Sequence, residues 1–199
     1  MTNLSYRPRV AFQGEHGAFS EDAAIKLLGP EIELVPRATF AELFSSLGEG
    51  LADFALAPVE NSLIGSIEPA VALLRKSSLV SAGEVVLQIR QQLIGCPGAV
   101  IEEIEAVESH PAALAQCKRF FAEHPLIERI EADDTAGSVA RIIKSGDSKR
   151  AAIAGRRAAA LYGGCIIKEN LEDDAENYTH FILLKSVLNQ QKRNSDHDR

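Results

Sequence analysis

Four short polar segments concentrate the residue types able to do chemistry. In residues 14–20 (GEHGAFS), two glycines and Ser20 stand directly before a helical pattern. Either unpaired helix N–H groups and a hydroxyl there face a carboxylate or phosphate with no side chain blocking approach, or Gly14 and Gly17 only shape a turn. Residues 58–66 (PVENSLIGS) bring a carboxylate, a carboxamide and a hydroxyl together at Glu60, Asn61 and Ser62, at the end of an apolar run. Such groups are costly if buried unpaired, so the segment is either a ligand site or a capping turn for a helix opening at Ser66. Residues 108–111 (ESHP) place Glu108, Ser109 and His110 ahead of a proline suited to the first helical position, with Gln116 about two turns into that helix. Adjacent Ser109 and His110 do not set a base against a nucleophile, and no G-x-S-x-G elbow occurs, which argues against serine-hydrolase chemistry. Residues 133–138 (DDTAGS) read as helix capping by Asp134 or Thr135. No acidic pair has partners at metal-ligand spacing, so no metal is expected.

The elements that must position these segments follow a β-α rhythm. Residues 9–13, 32–35 and 53–57 are short apolar strands, separated by helices over 20–28 and 40–47. Thr39 with Glu42 forms a capping-box signature for the second helix, and a third helix runs through Val71, Leu74 and Arg75. The pattern predicts an open, mostly parallel α/β lobe. Residues 84–93 read as one long strand leading into a second lobe. There, strands over 106–108, 127–131, 151–154 and 165–168 alternate with helices over 111–121, 135–143 and 155–162. A last strand covers 179–184, and 189–199 form a polar tail expected to be disordered. The expected division is 1–84 with 177–188 as one lobe and 85–176 as the other. In open α/β sheets ligands bind beyond the carboxyl ends of the strands, which is where the polar segments fall.

The 199 residues carry 21 Lys and Arg against 28 Asp and Glu, a net charge of −7, and no Lys/Arg run exceeds two residues. Nucleic acid is therefore not an expected partner. The three cysteines have no C-x-x-C spacing, which fits a reducing cytoplasm rather than a disulfide framework. No signal-peptide h-region and no long uncharged apolar run is present, so neither export nor membrane insertion is expected.

In this order, VAFQGEHGAFSEDAA, PVENSLIGS, ESHPAALAQC, DDTAGS and NYTHF resemble the signature blocks of the prephenate dehydratase domain, over residues 10–184. The resemblance implies a two-lobed fold like type II periplasmic binding proteins, with the active site in the inter-lobe cleft, no cofactor and a homodimer or homotetramer. It implies conversion of prephenate, a dicarboxylate, to phenylpyruvate with loss of water and carbon dioxide, in phenylalanine biosynthesis. That reaction needs two carboxylates held and a hydroxyl helped to depart, by geometry and polarised hydrogen bonds. By the same resemblance, Thr179 is the donor to the departing hydroxyl, and Glu60, Asn61, Ser109 and Gln116 are polar catalytic residues. Gly17, Ala18, Phe19, Ser20, Ser62, Thr135, His180 and Phe181 are substrate-binding, with Asp133 or Asp134 near the acidic position of the fourth block.

Two residues depart from the family pattern: His180 stands where arginine is usual, and Ala112 where glutamine is usual. If that arginine holds the anionic substrate, a histidine weakens the hold and makes it pH-dependent; on the other reading, strand alternation points His180 away from Thr179 and it packs behind the sheet in a structural role. This keeps open an arogenate dehydratase or a non-aromatising prephenate decarboxylase on the same fold; a non-catalytic ligand-binding module is the reading outside enzymology. With no ACT regulatory segment and no chorismate mutase segment read in the chain, insensitivity to phenylalanine is expected.

Overall fold

The computed structural model describes residues 6–187. The chain divides into two compact units, one comprising Met1–Gln13, Ser20–Leu87 and Thr179–Arg199, the other Gly14–Phe19 and Gln88–Tyr178. The polar tail expected over 189–199 lies outside the described residues. Among the described residues no helix is long and apolar enough to cross a membrane.

In the first unit, strand β1 (Arg9–Gln13) runs parallel to β2 (Glu33–Arg37) and to β3 (Phe54–Asn61). The last strand, β11 (Tyr178–Ser186), is antiparallel to β3 and is followed at the sheet edge by β5 (Leu79–Gln88). The sheet is thus mixed rather than mostly parallel, because the chain returns to it at Thr179 from the other unit. Val10, Ala11 and Phe12 are fully buried, as a central strand covered on both faces requires. Helix α1 (Phe19–Leu28) covers one face, its Ala23 and Ala24 packing with Val10, Leu56, Phe181 and Leu183. Helix α2 (Phe40–Gly48) covers the other with Leu43 and Leu47 against Ala11, Ala55, Ala57 and Leu184, and α3 (Glu68–Lys76) adds Leu74. The expected capping box holds α2: Glu42 N–H donates to Thr39 Oγ1 and Thr39 N–H to Glu42 Oε2, both at 3.2 Å.

Two expectations about this unit are corrected. Residues 58–61 are strand rather than loop: β3 runs through Pro58 to Asn61, and the ladder is irregular just there, the place where a proline inside a sheet is tolerated. Nor does PVENS cap a helix at Ser66, since Gly65–Ser66 is a short strand, β4, paired with β3, and α3 begins at Glu68 without a side-chain cap.

In the second unit, β7 (Ala106–Ser109) is parallel to β8 (Glu128–Glu131) and β9 (Arg150–Ala154). Strand β6 (Gln92–Gly95) is antiparallel to β9, and β10 (Cys165–Lys168) to β6. Alternation splits these strands between two faces. Leu93, Val107, Ala151 and Ile153 pack under α4 (Pro111–Ala115) and α5 (Lys118–Glu123), and Ile94, Ala152 and Ala154 under α6 (Thr135–Ser145) and α7 (Arg156–Tyr162).

The single strand expected over 84–93 is two strands. Between them the backbone leaves the ladder and bonds to residues 171–177 instead: Ile89 N–H to Asn177 O, Gln91 N–H to the Glu172 carboxylate and Leu171 N–H to Gln91 O, each at 2.8 Å. The helix expected over 111–121 is likewise two. Asp173 accepts from Lys118 N–H at 2.8 Å and Arg119 N–H at 2.9 Å, giving α5 an N-terminus of its own, so Gln116 is the residue capping α4 rather than a residue within a helix.

Candidate active site

The chemistry-bearing residues of the first unit meet on the last rungs of the β3–β11 ladder. Phe181 pairs with Pro58 but His180 pairs with Glu60 and Thr179 with Asn61, so Val59 is one extra residue on β3, a bulge. Along β11, alternation puts Thr179, Phe181 and Leu183 on one face and His180, Ile182 and Leu184 on the other. Thr179 is 7% exposed and Asn61 4%. Asn61 Nδ2 donates to Thr179 Oγ1 at 2.9 Å, while Asn61 Oδ1 accepts from Leu63 N–H at 3.0 Å, which fixes the amide orientation. A threonine oxygen that accepts one hydrogen bond directs its proton elsewhere, so the Thr179 hydroxyl remains a donor.

Glu60 and His180 face one another across the ladder on the opposite side from Thr179 and Asn61. Glu60 is exposed, and His180 Nε2 lies 3.1 Å from Glu84 Oε2. The structure therefore does not bring Glu60 or His180 to Thr179. Ser62 is exposed in the turn after β3. Phe181 is 2% exposed and belongs to the core with Val10 and Leu56.

In the second unit, the segment Gly14–Phe19 is packed on the start of α7. Gly17 has φ +88°, and a Cβ there would lie 3.0 Å from Ala158 Cα, so neither the backbone conformation nor the space admits a side chain. Tyr162 Oη donates to His16 O at 2.8 Å, Ala18 packs with the α6–α7 cluster, and the Phe19 ring lies against Gly155. Ser20 is 8% exposed in the first turn of α1. Thr135 is half-buried at the start of α6, whose cap is Asp134, accepting from Gly137 N–H; Asp133 is exposed.

Ser109 is fully buried at the end of β7, and its hydroxyl donates to Ile153 O at 2.6 Å. Its proton thus ties β7 to β9. Beside it, Glu108 is held by Arg141 Nε at 2.8 Å and Arg150 Nη2 at 3.1 Å. Gln116 Oε1 accepts from Asn177 Nδ2 at 3.0 Å and from Gln91 Nε2 at 3.4 Å. Gln91 and Asn177 escaped the sequence reading. The available signals were three glutamines, Gln88, Gln91 and Gln92, in or beside a run read as one strand, and the amide that opens the Asn-Tyr-Thr-His-Phe block.

Among the described residues no group of three His, Cys, Asp or Glu could hold a metal ion. Burial, with Asp173 and Glu172 nearby, pushes the Cys117 thiol up to about 12, so it is not an activated nucleophile. Cys96 is buried and Cys165 exposed. Iodoacetamide on the native protein is expected to alkylate Cys165 and spare Cys96 and Cys117, read by peptide mass spectrometry; equal labelling of all three would contradict this burial. The Asn61–Thr179 pair of the first unit and the Gln116 amide of the second are neutral groups, hydroxyl and carboxamide. Such groups orient carboxylates and stabilise a departing oxygen without transferring a proton from a strong acid.

The family model described as prephenate dehydratase matches residues 10–188. The chain is similar to arogenate dehydratase/prephenate dehydratase 2, chloroplastic, of Arabidopsis thaliana, with 41% identity over 178 residues, 89% of this chain and 46% of the relative. Among solved structures it is similar to the prephenate dehydratase of Arthrobacter aurescens in complex with L-Phe, at 26% identity and TM-score 0.82, covering 89% of this chain and 60% of that one. It is also similar to GqqA, described as a novel type of quorum quenching acylase, at 31% identity and TM-score 0.80, covering 89% of this chain and 64% of that one. The chain spans about half the length of the curated relatives it matches.

Proposed function

Because the chain belongs to the prephenate dehydratase family, we propose that it converts prephenate to phenylpyruvate, water and carbon dioxide. The carboxylate on the quaternary ring carbon leaves as carbon dioxide, and its bonding electrons enter the ring. Hydroxide is expelled at the opposite ring position and takes up a solvent proton to leave as water. The observation that carries this reading is the buried pair in which Asn61 donates to Thr179 at 2.9 Å, leaving the Thr179 O–H to donate to the departing hydroxyl. A hydrogen bond strengthening as charge develops lowers the barrier without a group that titrates near neutrality.

Arogenate is the second reading, favoured by the name of the Arabidopsis relative, which carries both substrates. It is also favoured by His180, which replaces the usual arginine and sits beside Glu84 rather than Thr179. The acylase description attached to GqqA is not carried over: amide hydrolysis calls for an activated nucleophile, and the Ser109 hydroxyl is bonded to Ile153 O.

The test is incubation of the purified protein with prephenate and, separately, arogenate. Phenylpyruvate from prephenate is the expected product. Phenylalanine formed from arogenate alone would move the assignment to arogenate. A non-aromatic decarboxylated acid would overturn the dehydratase reading, and no turnover of either substrate would favour a binding module.

A further inference from the structure

Gln116 has its carbonyl oxygen fully engaged. An amide oxygen has two lone-pair directions, and Asn177 Nδ2 and Gln91 Nε2 occupy both, at 3.0 and 3.4 Å. Turning the Gln116 amide over would set its N–H₂ against two other N–H₂ groups, so its orientation is fixed. Its backbone is fixed as well, with Asp173 N–H donating to Gln116 O at 2.7 Å. Gln116 is half-buried, and its N–H₂ is therefore the end left to meet a ligand.

The two amides that impose this orientation sit on pinned backbone. Asn177 is fully buried and Gln91 2% exposed. Gln91 N–H is tied to Glu172, Gln91 O to Leu171 N–H, and Asn177 O to Ile89 N–H, each at 2.8 Å. Gln91 also bears a cost: its Oε1 is buried without a hydrogen-bond partner. Turning that amide over would give the oxygen no donor, only Gln116 Oε1, so the unpartnered oxygen follows from aiming Nε2 at Gln116. Buried polar atoms left unsatisfied are rare enough that each calls for a reason.

We propose that Gln91 and Asn177 are positioning residues that hold Gln116 with its N–H₂ toward a carboxylate of the substrate. This rests on the dehydratase reading of the site. A pair of neutral N–H donors suits a carboxylate oxygen, and presenting the amide the other way round would set a carbonyl dipole against the anion.

The test measures kcat and KM for a small set of variants, with whichever of prephenate and arogenate the wild type turns over. Gln91→Met keeps the side-chain length and removes the donor together with the unpartnered oxygen. It is expected to leave Tm unchanged or raised while KM rises about tenfold. Gln91→Glu puts an acceptor against Gln116 Oε1, so Gln116 turns over, the Asn177 amide turns with it to keep their hydrogen bond, and KM rises about 100-fold; Asn177→Asp is expected to act alike, with the Gln91 amide turning. In a Gln116→Met background, neither Gln91 change should cost more than about twofold further, because there is no amide left to aim. Unchanged KM in both Gln91 variants, or the same losses in the Gln116→Met background, would overturn the proposal.

A second arm needs no activity. The side-chain ¹⁵N–¹H signals of Gln116 are expected to shift downfield and exchange more slowly with solvent in Gln91→Glu, as its N–H₂ gains an internal acceptor. Signals identical to wild type would overturn the proposal. Wild-type protein that turns over neither substrate would overturn the dehydratase reading instead, and the Gln116 signals still decide the amide arrangement.

Discussion

Thr179→Val is expected to lower turnover by roughly 10²–10⁴-fold, the range of a positioned hydrogen-bond donor acting mainly in the transition state. The loss should fall on kcat, since the hydroxyl contributes most when the departing oxygen gains charge. Valine nearly matches threonine in shape, but a methyl group would then face Asn61 Nδ2 and the buried hydrogen bond between them would be lost. That costs about 1–3 kcal/mol of stability, so the variant should melt lower while remaining folded under assay conditions. Thr179→Ser, which keeps the oxygen, separates the two effects and is expected to retain most turnover. Steady-state kinetics together with thermal melts by circular dichroism decide the matter. A Thr179→Val protein within about threefold of wild-type kcat would remove Thr179 from the chemistry.

Asn61→Asp should be the second most damaging change, at roughly 10²–10³-fold in kcat. Asn61 now donates to Thr179 Oγ1 and accepts from Leu63 N–H. A carboxylate still accepts from Leu63 but can only accept from Thr179 as well, so the threonine proton turns inward and no longer reaches the departing hydroxyl. Combining Asn61→Asp with Thr179→Val is expected to cost little more than Thr179→Val alone, since the first change acts through the hydroxyl that the second removes. Additive losses would show that Asn61 meets the substrate by a route independent of Thr179.

The βα rhythm, the capping box at Thr39 and Glu42, and the order of the polar segments were all legible in the sequence, because each depends on neighbours a few residues apart. What was not legible depends on contacts between distant segments. The break at residues 89–91 is set by Glu172 and Asn177, and the break in the helix after Pro111 by Asp173. The partners that hold each break lie 54 or more residues away along the chain. The candidate site shows the same division. Thr179 and Asn61, picked out by the family resemblance, do meet; Glu60, one residue away, does not join them, and the residue types alone cannot say which of the two faces Thr179. Gln91 and Asn177 were invisible for a similar reason: an amide's role lies in which end it turns to its neighbour, and that neighbour is 25 residues from Gln91 and 61 from Asn177.

The bulge at Val59 gives the site a tolerance to change in chain length. Had the ladder run on regularly from the Phe181–Pro58 rung, Val59 would face His180 and Glu60 would face Thr179; the extra residue is what delivers Asn61 there instead. Loss of one codon at position 59 or 60 would only straighten the strand and still leave the amide opposite Thr179. An extra codon, or loss of the one for Asn61 itself, has no such reserve. Short deletions and short insertions in this stretch are therefore unequal in effect, and over evolutionary time the strand can lose a residue here more safely than gain one.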